Sequence, residues 1–274
     1  MCDIKQAPIG VFDSGVGGLT VAREIMRNLP NEEIVYFGDT ARVPYGSKSK
    51  ETVLRYSRQI VRFLQTQEVK AIVIACNTAS AMALEEIQSE ISIPIIGVVK
   101  PGAKVAAEMT KNKRVGVIGT AATVGSHIYR ELIQQYDPKI EVIEKATPLL
   151  CPLVEEGWLK DSVTDMVLER YLEDLLDQDI DSLIMGCTHY PLIRRTIQKV
   201  MGDQVRLVNP AYETALELKR LLDQQNLLQD EKPVLGTNQY QFFVSDGADK
   251  FQHFANTIFK YGVLAVKQIN IEEY

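Results

Sequence analysis

Two cysteines stand at matching corners of this chain. Cys76 follows the apolar run "AIVIA" (71–75) and precedes "NTAS", while Cys187 follows "SLIMG" (182–186) and precedes "THYP". Each corner reads as a buried strand, a thiol, a polar pair and the start of a helix, with Pro191 suited to the second helix's first turn. A thiol ahead of a helix has its thiolate favoured by the positive end of the dipole, so its pKa is expected to fall from ~8.5 toward neutrality. The pairs Asn77-Thr78 and Thr188-His189 add donors suited to a carboxylate. A lone cysteine at a strand end is more often packing than chemistry. Two in matching positions at the mouth of a cleft reverse that weighing. Placed on opposite sides of a bound molecule, matched monoprotic groups suit inversion of a stereocentre: one thiolate removes a proton from one face and the opposite thiol returns one to the other. The carbanion between these steps requires preorganised donors around the substrate carboxylate.

The elements that must hold these corners follow from the pattern of the chain. Short Val/Ile-rich runs at 9–13, 33–39, 71–75, 93–99, 114–119, 140–145, 182–186, 205–209 and 241–246 alternate with segments of helical period, which indicates βαβ units and parallel sheets. A helix over 50–65 shows its stripe in Val53, Tyr56, Ile60 and Phe63; a second over 161–177 is expected to stack Val163, Val167, Tyr171 and Leu175. The chain also resembles itself. "GVFDSGVGGLTVAREI" (10–25) aligns with "GVIGTAATVGSHIYREL" (116–132), "AIVIACNT" with "SLIMGCTH", and "IPIIGVV" with "VRLVNPA". The expected fold is therefore α/β: two pseudo-symmetric lobes, each a mainly parallel sheet flanked by helices, with the active site in the cleft between them. Residues 1–98 plus 210–274 are assigned to a discontinuous first lobe and 99–209 to the second. In open parallel sheets ligands bind beyond the carboxyl ends of the strands, where both cysteines lie.

Composition narrows the function. With 274 residues, 46 % of them hydrophobic, the chain can bury a substantial core. A net charge of −6 without any Lys/Arg run argues against a general nucleic-acid binder. The start "MCDIKQAPIG" has no apolar signal region, and no run approaches the ~18 apolar residues of a membrane span, so a cytoplasmic location is expected. The four cysteines, Cys2, Cys76, Cys151 and Cys187, form no CxxC pair and match no zinc-binding spacing. No lysine has a pyridoxal-binding context and no phosphate loop is present, so neither cofactor nor metal is expected.

Taken together, "GVFDSGVGG", "YFGDTARVPYG", "ACNTAS", "GVIGTAATV" and "GCTHYP" resemble, in order and over nearly the whole chain, the cofactor-independent Asp/Glu racemase family and its glutamate racemases. The resemblance implies interconversion of L- and D-glutamate for peptidoglycan. It implies Cys76 as the acid/base facing the α-hydrogen of D-glutamate and Cys187 as that facing L-glutamate. Asp13 would partner Cys76, and His189 would partner Cys187. By the same resemblance Ser14, Asn77, Thr78 and Thr188 bind the amino-acid head group, Tyr45 and Gly46 with Thr120 and Thr123 hold the side-chain carboxylate, and Asp39 and Glu155 are accessory acids. Cys2, Cys151, His127 and His253 match no catalytic position and are assigned structural or incidental places. The family is often dimeric, and no interface residue is legible here. Racemisation of aspartate or another acidic amino acid is the alternative within enzymes, ahead of a hydrolase with one nucleophilic cysteine. A two-lobed amino-acid binding protein is the alternative outside them.

Overall fold

The computed structural model describes residues 4–229, 239–259 and 265–274; Cys2 lies outside them. The first half of the chain runs β1 (Ile9–Asp13), α1 (Leu19–Asn28), β2 (Ile34–Gly38), α2 (Lys50–Thr66), β3 (Ala71–Ile74), α3 (Asn77–Glu90) and β4 (Ile95–Gly97). It continues through α4 (Val99–Met109), β5 (Arg114–Gly119), α5 (Ala121–Gly125), α6 (Ile128–Tyr136), β6 (Glu141–Ala146), α7 (Leu150–Glu155), α8 (Ser162–Leu176), β7 (Ser182–Gly186), α9 (Arg194–Met201) and β8 (Arg206–Val208). The described remainder is α10 (Pro210–Gln224), β9 (Tyr240–Val244), α11 (Ala248–Ile258) and β10 (Val266–Gln268).

The strands form two sheets, ordered β10-β9-β2-β1-β3-β4 and β6-β5-β7-β8, and every pairing is parallel. One strand order thus occurs once in each sheet: β2-β1-β3-β4 and β6-β5-β7-β8 correspond position by position. The Cys76 strand occupies in its sheet the place that the Cys187 strand occupies in the other. After β8 the chain comes back to pair β9 with the outer edge of β2. The central strands are apolar on both faces, as expected where helices cover a parallel sheet on both sides: β1, β2, β3 and β7 are buried at every residue.

Two helices illustrate how packing selects among apolar rows. In α2, Val53, Ile60 and Phe63 are buried along the expected stripe, and a Ser49 cap accepts from the Thr52 amide. In α8 the expected row is kept at Leu175 and partly at Val167 and Tyr171, which pack half-buried against the core, but not at Val163. Thr164, Leu168, Leu172 and Leu175 face the core, whereas Val163 is 36 % exposed, because the leucine row fits the space left by Ile118, Met185 and Ile197. No helix among the described residues is long and apolar enough to cross a membrane.

Candidate active site

Both cysteines line one cavity of about 40 Å³ at the carboxyl ends of β3 and β7. Its wall includes Ser14, Tyr45, Gly46, Cys76, Asn77, Thr78, Thr120, Glu155, Cys187, Thr188 and His189, together with Val43, Pro44 and Cys151. Residues from both sheets' loops therefore converge on one space.

Cys76 caps α3. Its sulfur accepts from the Ala79 amide at 3.5 Å, and its thiol donates to Ser14 Oγ at 3.7 Å. The Ala79 amide, the helix start and the Ser14 hydroxyl, which can turn to donate once the sulfur is ionised, favour a thiolate, yet the Cys76 thiol is pushed up to about 12: burial outweighs them, and the neighbouring Asp13 charge adds to it. The expected drop toward neutrality is thus corrected, because a dry wall destabilises a thiolate more than one helix end stabilises it. Asp13 itself is fully buried and outside the cavity wall, with Oδ2 accepting from the Gly15 and Gly18 amides at 3.0 Å each. Burial raises its carboxyl, against the opposing pull of His189 and those two amides.

The second corner is built differently. Cys187 is followed by a 3-10 turn at Tyr190–Ile193 that holds Pro191, and only then by α9, so its sulfur does not cap an α-helix. Its neighbours are instead Cys151 Sγ at 3.3 Å and His189 Nδ1 at 3.5 Å, while His189 Nε2 lies 3.0 Å from Glu155 Oε1. The Cys187 thiol is held well above its ordinary 9.0 by the Cys151 hydrogen bond and by burial, with His189 pulling the other way. Burial lowers His189, but the Cys187 sulfur and the Glu155 carboxylate carry it up to about 10. The geometry supports a protonated imidazole clamped between a sulfur and a carboxylate. Burial likewise opposes ionisation of Glu155, and the His189 hydrogen bond overcomes it, leaving that carboxyl below its usual range.

The remaining wall is hydroxyl-rich. Thr78 Oγ1 lies 2.9 Å from Thr120 Oγ1 and 3.2 Å from Thr123 Oγ1, a trio that spans the two sheets' loops, with Thr123 just behind the wall. Asn77 Oδ1 accepts from Tyr129 OH at 2.7 Å, and the Thr188 carbonyl accepts from Thr20 Oγ1 at 2.9 Å. Gly46 must be glycine for a steric reason: a Cβ there would stand 2.6 Å from the Thr120 Cβ. Asp39 is not in the wall. It accepts from Tyr45 OH, from Arg42 Nε at 2.8 Å and from Ser245 Oγ at 2.9 Å, so it fixes the loop that presents Tyr45.

Sequence reasoning missed three participants. Cys151, assigned an incidental place, touches Cys187, and with His189 these side chains offer ligand atoms all within 4.8 Å of one another. Nothing but the cysteine count flagged it. Tyr129 orients Asn77 from α6, and an aromatic on an apolar helix face carries no signal of that role. Gly17 approaches so closely that a Cβ would stand 2.7 Å from the His189 ring; the glycine density of "GVGG" was its only trace.

The family described as Asp/Glu/Hydantoin racemase matches residues 9–217. A glutamate racemase of Geobacter metallireducens is 46 % identical over 264 residues, covering 96 % of this chain and 97 % of that protein. Among solved structures, a glutamate racemase isoform of Bacillus anthracis superposes with a TM-score of 0.92 at 40 % identity, covering 97 % of this chain and 98 % of its own. The glutamate racemase of Francisella tularensis, solved with D-glutamate, gives 0.91 at 38 % identity, covering 98 % of this chain and all (100 %) of its own. With two sheets in repeated order and paired thiols facing one cavity, this chain belongs to the Asp/Glu/hydantoin racemase family, among the glutamate racemases.

Proposed function

We propose that the protein interconverts L- and D-glutamate by a two-base mechanism without an organic cofactor, in the cytoplasm, supplying D-glutamate for peptidoglycan. The observation that carries this reading is the pair of sulfurs, from equivalent strands of two like sheets, in the wall of one small cavity. Cys187 as thiolate takes the α-proton of L-glutamate, and Cys76 as thiol delivers its proton to the opposite face; the reverse reaction exchanges their states. A thiolate destabilised by burial is a strong base toward a weakly acidic carbon, and the protonated His189 beside Cys187 supplies the compensating charge. Asn77, Thr78, Thr188 and Ser14 offer donors to the head group, while Tyr45, Gly46, Thr120 and Thr123 border the side-chain end. A cavity of about 40 Å³ is far below the ~300 Å³ lower bound of ordinary ligand sites, so the lobes must part to admit substrate. We take residues 1–98 with 210–274, and 99–209, as the bodies that do so.

The test uses N-hydroxyglutamate, whose elimination requires deprotonation but no reprotonation. Cys76→Ser, which keeps Cys187, should eliminate from the L-analogue far better than from the D-analogue. Cys187→Ser should show the opposite preference. The same preference in both variants, or wild-type racemisation by either, would refute the assignment. Parallel assays with aspartate, one methylene shorter, decide between the two acidic substrates.

A further inference from the structure

The geometry points to a site for one thiophilic divalent cation, of the zinc type, formed by Cys151, Cys187 and His189 and closed to catalysis when filled. Its effect on turnover rests on the racemase reading; its existence does not. A tetrahedral Zn²⁺ with Zn–S of about 2.3 Å and Zn–N of about 2.05 Å places its ligand atoms about 3.8 Å (S to S) and about 3.6 Å (S to N) apart. The sulfurs here are 3.3 Å apart and Cys187 Sγ lies 3.5 Å from His189 Nδ1, so these two pairs need only a few tenths of an ångström of spreading, while Cys151 Sγ and the His189 ring nitrogen, within 4.8 Å of each other, need to close by at most about 1.2 Å. All three ligand atoms lie within 4.8 Å of one another.

An independent feature supports the same reading. Metal-bound histidines use one ring nitrogen for the ion and give the other N–H to a carboxylate, which sets the ring's orientation. Glu155 already occupies that outer position, 3.0 Å from His189 Nε2, leaving Nδ1 turned toward the sulfurs. Charge balances as well. Two thiols release two protons to solvent, and the two thiolates neutralise the cation; Nδ1, as third ligand, contributes a lone pair after any proton on it has also left. A neutral complex suits a buried wall better than a lone thiolate does. Cys151, Cys187 and His189 all line the cavity, so a fourth ligand, water or an amino-acid carboxylate, would come from it. Soft sulfur ligands select zinc or cobalt over magnesium. With its lone pair on the metal, Cys187 can neither take nor return a proton.

The experiment titrates Co²⁺ and Zn²⁺ into the metal-free wild-type protein, kept reduced with a phosphine rather than a competing thiol. Cobalt should give a thiolate-to-cobalt charge-transfer band and tetrahedral d–d bands saturating at one equivalent. Racemisation should fall in step with occupancy and return on chelation, while Mg²⁺ at the same concentration should change neither. Cys151→Ala should lose the thiolate band. Glu155→Gln, which keeps all three ligands, should weaken binding about 10–100-fold, the usual cost of an outer-shell change. Absence of the band in the wild type, an unchanged band in Cys151→Ala, or equal inhibition by Mg²⁺ would overturn the proposal. A band that forms as expected in a protein that never racemises glutamate would uphold the metal site and overturn the functional reading instead.

Discussion

Replacing Gly17 by alanine tests how His189, the histidine beside Cys187, is held. A Cβ at this position would stand 2.7 Å from both Nδ1 and Cε1 of His189, about 0.7 Å short of ordinary contact at 3.4 Å, and would also collide with Thr188 Oγ1. The His189 ring cannot swing aside freely, since it is tied at 3.0 Å to Glu155 and lies 3.5 Å from Cys187. Misplacing a catalytic group by about 1 Å costs on the order of 10²-fold, so a shift of this size should lower kcat/KM about 10–100-fold. Overpacking a dense interior costs about 1–3 kcal/mol, or roughly 2–12 °C in Tm for a chain of this length. Because the two enantiomers have equal free energy, overall racemisation, followed by circular dichroism, must slow equally in both directions. N-hydroxyglutamate separates the sides: elimination from the L-analogue, served by Cys187, should fall, while that from the D-analogue should change little. Wild-type kcat/KM, or equal loss for both analogues in a variant that remains folded, would refute the idea that Gly17 sets the His189 position.

Four further outcomes are expected. Tyr45→Phe removes a donor from the buried Asp39 carboxylate and should cost about 1–3 kcal/mol, read as a lowered urea midpoint; an unchanged midpoint would mean that Arg42 and Ser245 suffice to hold Asp39. Tyr129→Phe leaves Asn77 Oδ1 without its 2.7 Å donor and should raise KM for glutamate severalfold with the fold intact; an unaltered KM would remove Asn77 orientation from the account. With the Cys76 thiol raised from 9.0 to about 12, its thiolate fraction at pH 8 is about a thousandfold below that of a free thiol, so iodoacetamide labelling of Cys76 should be correspondingly slow and keep rising above pH 9; a titration midpoint near 9 would contradict this. Because the cavity is too small for an amino acid, the lobes must spread to hold one, so small-angle scattering with glutamate bound should give a radius of gyration larger than that of this structure, and an identical radius would argue that only side chains move to admit it.

Several features were legible in the chain itself. The strands at 9–13, 114–119 and 182–186 and the helix at 50–65 came from residue type and period alone, since buried parallel strands are written as unbroken Val/Ile runs. The internal repeat anticipated that the Cys76 and Cys187 strands would hold equivalent places, because a duplicated strand order carries its strand-end residues along with it. What periodicity cannot encode is which of two adjacent apolar rows finds a partner. In α8 the choice of Leu168 and Leu172 over Val163 was made by the sheet beneath them.

The chemistry divides along the same line. A cysteine ahead of an Asn-Thr or Thr-His pair is local information, and it sufficed to single out both sulfurs. Their ionisation was not local: the helix-end argument pointed down, whereas burial at Cys76, and the Cys151 hydrogen bond together with burial at Cys187, pushed the thiols up. Asp39, expected as an accessory acid, lies behind the wall and holds Tyr45 for a related reason. Its partners Arg42 and Tyr45 come from its own loop, but the third, Ser245, follows β9 and reaches the carboxylate only once β9 lies beside β2. Cys151 is the plainest case. Thirty-six residues separate it from Cys187 in sequence, yet 3.3 Å separates their sulfurs. No spacing rule relates them, because the distance is set by α7 packing beneath the turn that follows β7.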